Sequence, residues 1–264
     1  MEDKVYFQIR DLIKKIMKID LTNYKDEQMK RRLDSWLVRS HKNNWDEYFS
    51  LVTSDADEKE KFRNYLTINV TEFFRDLNRW DTLRQEVIPY LINTPSDHYK
   101  TEGLKIWSAG CSIGTEPYTL GMIMNETFSK QPFSILATDL DREALKRAKA
   151  GGPYSQDDIR NLTPVQLQKF LEPEKPYKVK DTLKKNIRFQ EQDLFADKFD
   201  PGFDLIVCRN VVIYFTAEAK TVLYTKFHNA LRPGGVLFLG GTEMISGPKE
   251  IGFQNFGISF YKKI

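Results

Sequence analysis

The pattern of apolar and polar residues changes character near residue 100. Before that point apolar residues recur at the spacing of an amphipathic helix. In the first such stretch they are Ile9, Leu12, Ile13, Ile16 and Ile19. Further stretches of this kind follow up to about residue 75. We therefore predict an all-α domain over residues 1–75, followed by a linker or helix over residues 76–100.

Residues 101–264 contain short runs rich in β-branched and aromatic residues, most of them separated by helical stretches. The runs are LKIWSAG, FSILATD, NIRFQEQD, FDLIVCRN and GGVLFLGG. Strands that alternate with helices predict an α/β, Rossmann-like fold with a mostly parallel sheet covered on both faces. Residues 155–190 break the alternation and are predicted to be an inserted β-subdomain with small antiparallel strands.

Polar or glycine-rich segments follow the first four predicted strands, where a parallel sheet binds its ligands. The polar side chains at these positions are Glu116, Asp139, Asp193, Arg209 and Asn210. Asp139 lies 25 residues after Gly114, close to the spacing at which an acidic residue binds two ribose hydroxyls. Each feature alone has a simpler explanation. The glycine-rich segment also fits a plain turn, and Arg209 also fits a solvated arginine at a strand end. Asp139 and Asp141 both fit the N-cap of the helix that follows them. Together, four such strand ends predict one crevice.

The ligand of this crevice is indicated by Glu116, which stands at the start of a predicted helix. The G-x-G-x-x-G spacing is missing there, and a carboxylate at a helix N-terminus would repel a pyrophosphate. A ligand with a ribose and a positively charged centre would accept both Glu116 and Asp139. S-adenosylmethionine has these groups and an amino-acid tail, so the residues favour a methyltransferase over a dehydrogenase.

Composition narrows the class of protein further. The hydrophobic content of 41% and aromatic content of 13% are typical of a globular protein, and a net charge of +3 does not indicate nucleic-acid binding. The 2 cysteines and 3 histidines are scattered, so we expect neither a disulfide framework nor a metal site. The N-terminal stretch contains no signal peptide or membrane-span pattern, which predicts a cytoplasmic protein without membrane insertion.

Five motifs resemble those of the CheR family of chemotaxis receptor methyltransferases. They are NVTEFFRD (69–76), IWSAGCSIGTEPYTL (106–120), ILATDLDREALKRAKAGGPY (135–154), CRNVVIYF (208–215) and LRPGGVLFLGGTE (231–243). The resemblance covers nearly the whole chain. It implies methyl transfer from S-adenosylmethionine to glutamates on the cytoplasmic methylation helices of chemoreceptors, for chemotactic adaptation. The implied products are glutamate methyl esters and S-adenosylhomocysteine, and we expect the enzyme to be a monomer.

The resemblance also assigns roles to residues by position. The implied cofactor contacts are Asn69, Thr71, Arg75, Glu116, Asp139, Asp193, Leu194, Arg209 and Asn210. Arg75 would pair with the cofactor carboxylate. Asp193 and Leu194 would lie near the adenine, although the family often has Asn in place of Asp193. Arg209 and Tyr214 are candidates for orienting the substrate, while Tyr214 also fits a core position. No residue is assigned as a catalytic acid or base.

Two features bear on receptor recognition. Residues 25–42 hold six basic and three acidic side chains. The candidates for receptor docking are Lys30, Arg31, Arg32 and Arg39. A solvated helix face explains the charges equally well.

Some members of the family bind a receptor pentapeptide with a glycine-containing loop of the β-subdomain. The corresponding stretch here, residues 171–186, has two prolines and no glycine, which predicts a pentapeptide-independent member.

Two other classes of function remain open from the residues alone. A nucleic-acid methyltransferase would use the same cofactor domain, but the sequence has no N/D-P-P-Y/F motif. A module that only senses S-adenosylmethionine would keep the cofactor residues and lose turnover. An assay for methyl transfer to protein separates both from a receptor methyltransferase.

Overall fold

The computed structural model of the protein describes residues 1–67, 70–94 and 102–264. The chain divides into two compact units, Met1–Ile68 with Tyr214–Val222, and Asn69–Ile213 with Leu223–Ile264. Each unit has an apolar core of its own. Within the described ranges, no helix has the length and apolar character needed to cross a membrane.

The first unit contains the predicted all-α domain, which is confirmed. Its helices are α1 (Asp3–Met17), α2 (Asp26–Arg39), α3 (Trp45–Ser54) and α4 (Ala56–Leu66). Asn44 and Asp55 begin α3 and α4 by accepting hydrogen bonds from N–H groups of the first turn, the usual role of these residue types at an N-cap. The buried helix faces meet in an aromatic cluster, in which the Phe62 ring centroid lies 5.1 Å from that of Tyr48 and 6.0 Å from that of Trp45.

A seven-stranded sheet with the order β3-β2-β1-β4-β5-β7-β6 forms the centre of the second unit. The strands are β1 (Leu104–Ala109), β2 (Phe133–Asp139), β3 (Ile187–Glu191), β4 (Phe203–Cys208), β5 (Leu231–Leu239), β6 (Phe253–Asn255) and β7 (Phe260–Lys263). The first five are parallel, as predicted, whereas β7 is antiparallel to β5 and β6. The strand order reverses between β1 and β4, which places the expected ligand crevice at their carboxyl ends.

Helices accompany this sheet as the alternating pattern predicts. They are α5 (Leu77–Thr82), α6 (Ile88–Asn93), α7 (Thr115–Thr127), α8 (Arg142–Ala150), α9 (Pro164–Phe170), α10 (Asp181–Lys184) and α11 (Ala217–Ala230). A π-helical turn, Leu83–Val87, joins α5 to α6. The helix α7 is buried from Thr115 to Met124, so the glycine turn that precedes it is held against the core.

The antiparallel pairing predicted for the insertion at residues 155–190 is short. Before β3 begins at Ile187, the described residues form α9, α10 and two isolated antiparallel bridges, Tyr154↔Tyr177 and Leu171↔Val179. The backbone of residues 177–180 nevertheless bonds on both sides: Val179 N donates to Gly151 O at 2.8 Å, and Glu172 N donates to Lys178 O at 2.8 Å. The prolines remove donors at two positions of this stretch, which limits ladder formation.

Candidate functional site

The turn after β1 brings the end of that strand close to the end of β4. Its backbone is left-handed at Gly110, Ser112 and Gly114, with φ angles of 84°, 49° and 91°. A Cβ atom at Gly110 would lie 2.5 Å from Cγ2 of Val211, closer than carbon atoms can approach. Glycine is therefore needed at this position both for its φ angle and for the space.

Glu116 is buried in the first turn of α7. Its Oε1 accepts a hydrogen bond from Oγ of Ser108 at 2.7 Å. Burial raises the pKa of Glu116 to about 7; Arg209, the Ser108 hydroxyl and Arg75 oppose this rise, and Glu243 adds to it. The structure thus brings both predicted arginines within electrostatic reach of the predicted carboxylate.

Asp139 ends β2 and fixes the glycine turn from the other side. Its Oδ2 accepts from Ser112 N at 2.7 Å, and its Oδ1 accepts from Asp141 N at 2.9 Å. Burial raises its pKa to about 6 against the opposing effect of these backbone donors. The helix cap is Asp141, which accepts from the first turn of α8. The two carboxylates therefore make different contacts: Asp141 caps α8, and Asp139 holds the turn after β1.

The segment before α5 carries Thr71 and Arg75, while Asn69 lies outside the described residues. The Oγ1 atoms of Thr71 and Thr115 are 2.5 Å apart, which joins this segment to the start of α7. The Arg75 guanidinium donates to Val70 O at 2.9 Å. The segment therefore lies beside the same helix turn that holds Glu116.

Arg209 and Asn210 leave β4 in different directions. Arg209 Nη2 donates to Arg75 O at 2.9 Å and to Asp76 Oδ2 at 2.7 Å. Asn210 has a left-handed φ of 59°, and its N–H donates to Glu243 Oε2 at 2.8 Å. Both residues lie at the predicted crevice, and the Arg209 side chain is engaged with the segment before α5.

Glu243 is a site residue that sequence reasoning missed. It is buried and its Oε2 also accepts from Gly240 N at 2.6 Å, so it connects the loops after β4 and β5. Burial raises its pKa, opposed by backbone N–H groups that include Asn210 and Val212. The available signal was its place just after the fifth predicted strand, in GGTE.

Asp193 uses its side chain in its own turn. Its Oδ1 accepts from Phe195 N at 2.8 Å and from Ala196 N at 3.1 Å. The carbonyl of Leu194 accepts from Lys226 Nζ at 2.7 Å. A contact of this turn with adenine would therefore use its backbone, and the exchange of Asn for Asp at this position would leave such a contact intact.

Tyr214 groups with the first unit, where its carbonyl accepts from Lys25 N at 2.9 Å. Its side chain is half-buried. Among the described residues, no group of three or more His, Cys, Asp or Glu side chains is arranged to hold a metal ion.

The four docking candidates on α2 differ in their surroundings. Lys30 Nζ bonds Asp3 at 2.6 Å and Glu27 at 2.7 Å. Arg32 donates to the carbonyls of Tyr65 and Thr67 at the end of α4, and burial lowers its pKa. Arg31 and Arg39 are exposed.

The fold and the family comparison together define a Rossmann-like, S-adenosylmethionine-dependent methyltransferase. The family description "CheR methyltransferase, SAM binding domain" matches residues 69–261, and "CheR methyltransferase, all-alpha domain" matches residues 5–67. The chain belongs to the CheR methyltransferase family.

Several chemotaxis protein methyltransferases are similar to this chain over much or nearly all of their length. The chemotaxis protein methyltransferase of Listeria innocua is 41% identical over 262 residues, which cover 99% of this chain and 98% of that protein. That of Listeria monocytogenes is 40% identical with the same 99% and 98% coverage. Chemotaxis protein methyltransferase 1 of Pseudomonas aeruginosa is 35% identical, over 74% of this chain and 73% of that protein. Among solved structures, a TehB-like SAM-dependent methyltransferase from Corynebacterium glutamicum has a TM-score of 0.38 and 19% identity, over 71% of this chain and 93% of that one.

Proposed function

We propose that this enzyme transfers the methyl group of S-adenosylmethionine to glutamate side chains on the cytoplasmic methylation helices of chemoreceptors. The products are glutamate methyl esters and S-adenosylhomocysteine, and the enzyme acts in the cytoplasm as a monomer. The observation that carries the proposal is the buried carboxylate of Glu116 in the first turn of α7, beside the β1–β4 reversal and under the electrostatic influence of Arg209 and Arg75. The names of the relatives support the choice of receptors as substrates.

The charges of the site fit the cofactor group by group. Glu116 would bind the ammonium of the methionine part, and Arg75 would bind its carboxylate. Asp139 would accept the ribose hydroxyls, and the turn of Asp193 and Leu194 would contact the adenine through its backbone. Charge-assisted hydrogen bonds of this kind contribute about 1.5–3 kcal/mol each. Raised pKa values at Glu116 and Asp139 fit the same assignment, since each carboxylate gains a partner when the cofactor binds.

The acceptor requires little activation from the protein. A glutamate side chain has a pKa of about 4.3 and is ionised at neutral pH, so no general base is needed. The cofactor supplies a methyl group on a positively charged sulfur, and charge is lost as the carboxylate attacks. Strong pairing of the attacking carboxylate would slow this step, so the enzyme should align the groups and exclude water.

The bond formed gives the most direct test of this function. When the protein is incubated with methyl-labelled S-adenosylmethionine and receptor-containing membranes, we expect label in the receptor band. Mild alkali should release that label as volatile methanol, because a carboxyl ester hydrolyses readily. Alkali-stable label would indicate methylated nitrogen instead, and cofactor binding without any label would indicate a sensing module.

Receptor docking is proposed to use the exposed basic positions of α2, Arg31 and Arg39. Lys30 and Arg32 already serve contacts within the first unit, so their charges are less available to a partner. The receptor region carries glutamates, and opposite charges across an interface raise the rate of encounter.

Reversal of the two exposed charges, Arg31→Glu with Arg39→Glu, should raise the apparent KM for receptor several-fold and leave cofactor affinity unchanged. The effect should shrink with added salt, because surface charges are screened over about 10 Å at 0.1 M. Arg32→Glu is the matched contrast: it should lower the melting temperature, since it removes a donor to Thr67 O. An unchanged KM at low salt for the double variant would remove α2 from the docking surface.

Independence from a receptor pentapeptide is a further part of the proposal. The stretch that would form the gripping loop contains Pro173 and Pro176 and no glycine. Residues 177–180 already bond on both sides, so their backbone offers no free edge for strand addition.

A receptor-tail pentapeptide titrated into the protein is therefore expected to show no saturable heat of binding. Deletion of the tail from the receptor should leave the initial methylation rate unchanged. Micromolar binding of the peptide, or a rate that falls with tail deletion, would show that this loop grips the tail despite its composition.

A further inference from the structure

The side chain of Arg209 is enclosed by the protein. Arg209 is 6% exposed. Its guanidinium carbon lies 4.9 Å from the ring centroids of both Trp80 and Phe238. Both hydrogen bonds found for this guanidinium go to the turn before α5, at Arg75 O and Asp76 Oδ2. Nη2 is therefore directed at the polypeptide, while Nε is buried and has no hydrogen-bond partner among the described residues.

The turn that Arg209 holds has a strained backbone. Phe74 and Asp76, on either side of Arg75, have φ angles of 50° and 61°. Left-handed backbone is unfavourable for residues with a Cβ, above all for a bulky one such as Phe74, and persists only where the surroundings fix it. Here the Arg75 carbonyl accepts a second hydrogen bond, from Trp80 Nε1 at 2.7 Å. The turn is therefore fixed by several contacts at once.

We propose that Arg209 is a positioning residue, which holds the turn at residues 74–76 so that Arg75 faces the amino-acid end of the cofactor. The inference rests on the proposed role of Arg75. It is supported by the 2.5 Å contact between the Oγ1 atoms of Thr71 and Thr115, which joins the segment that carries Arg75 to the helix turn that holds Glu116. Arg209 then acts on the cofactor only through Arg75, and its loss should affect only the groups that Arg75 binds.

Two ligands separate this role from direct binding. S-adenosylhomocysteine has the amino-acid end, whereas 5′-methylthioadenosine has the same adenosine and thioether without it. Calorimetric titration of both ligands is compared for the wild type, Arg75→Ala, Arg209→Lys and Asp76→Asn. Asp76→Asn breaks the same ion pair at a side chain that is 46% exposed, so it reports on the contact even where Arg209→Lys folds poorly.

We expect Arg209→Lys and Arg75→Ala to lower the affinity for S-adenosylhomocysteine about 10- to 100-fold. Their affinity for 5′-methylthioadenosine should fall by less than about twofold. Asp76→Asn should show the same selectivity with a smaller loss. The double variant Arg75→Ala/Arg209→Lys should bind like Arg75→Ala alone, since residues that act through one another are not additive.

Equal weakening of both ligands in Arg209→Lys and Asp76→Asn would overturn the proposal, as would unchanged binding of both. An additive loss in the double variant would do the same. The measurement needs no receptor, so it stands apart from the methylation assay: failure to label receptors would contradict the proposed function and leave the positioning role intact.

Discussion

Replacement of Asp139 by Ala is expected to weaken S-adenosylmethionine binding by about 1.5–3 kcal/mol, or roughly 10- to 100-fold. The carboxylate holds the glycine turn through Ser112 N and stands at the strand end where a doubly wound fold binds ribose. Its loss removes the acceptor for two hydroxyls and releases the turn that must approach the cofactor. Both effects act on binding in the same direction.

Asp141→Ala is the matched control, because Asp141 lies two residues away and its carboxylate caps α8. Its Oδ1 accepts from Glu143 N at 2.9 Å and Ala144 N at 3.0 Å, and loss of such an N-cap costs about 0.5–2 kcal/mol of stability. We expect a lower melting temperature and nearly unchanged affinity, measured by calorimetry. If Asp141→Ala lowered the affinity for the cofactor as much as Asp139→Ala does, the assignment of the ribose site to Asp139 would fail.

The contrast between these two aspartates shows what the sequence could predict. Both stand before a helix in TDLD, so the local pattern allowed either to be the helix cap. The choice depends on which carboxylate meets the N–H of Ser112, 27 residues earlier in the chain. The strands and the positions of their ends, in contrast, follow from runs of apolar residues within one short window, and these predictions hold for β1 to β5.

Predictions that depend on distant partners were less complete. Charge counting along α2 could not reveal that Arg32 bonds a carbonyl 35 residues away or that Lys30 pairs with Asp3. Glu243 was missed because it acts on the backbone of Asn210, 33 residues earlier. The direction of the Arg209 side chain is set by a turn 133 residues away. The strands β6 and β7 are short and contain polar residues, so they lack the buried-strand pattern.

Replacement of Glu116 by Gln should separate stability from cofactor affinity. Burial raises the pKa of Glu116 from 4.5 to about 7, so the folded chain binds this proton more tightly than the unfolded chain. The stabilisation from this group is complete below about pH 4.5 and is lost as the pH rises through about 7. At pH 8 the buried charge therefore destabilises the ligand-free protein by about 3 kcal/mol. Gln keeps an acceptor for the Ser108 hydroxyl and has no charge to bury.

We expect Glu116→Gln to exceed the wild type in free energy of unfolding at pH 8 and to match it closely at pH 4.5, as measured by urea denaturation without ligand. Its affinity for S-adenosylhomocysteine should fall about 10- to 100-fold at pH 8. Wild-type affinity should rise between pH 6 and 8 as Glu116 ionises, and the variant should lack most of this rise.

Ser108→Ala is the control that keeps the charge and removes only its hydrogen-bond donor. It should lower stability at pH 8 and retain the pH dependence of binding. A Gln variant that is less stable than the wild type at pH 8 and still binds the ligand fully would mean that Glu116 is a structural carboxylate, because only a charge that the fold itself satisfies would behave in that way.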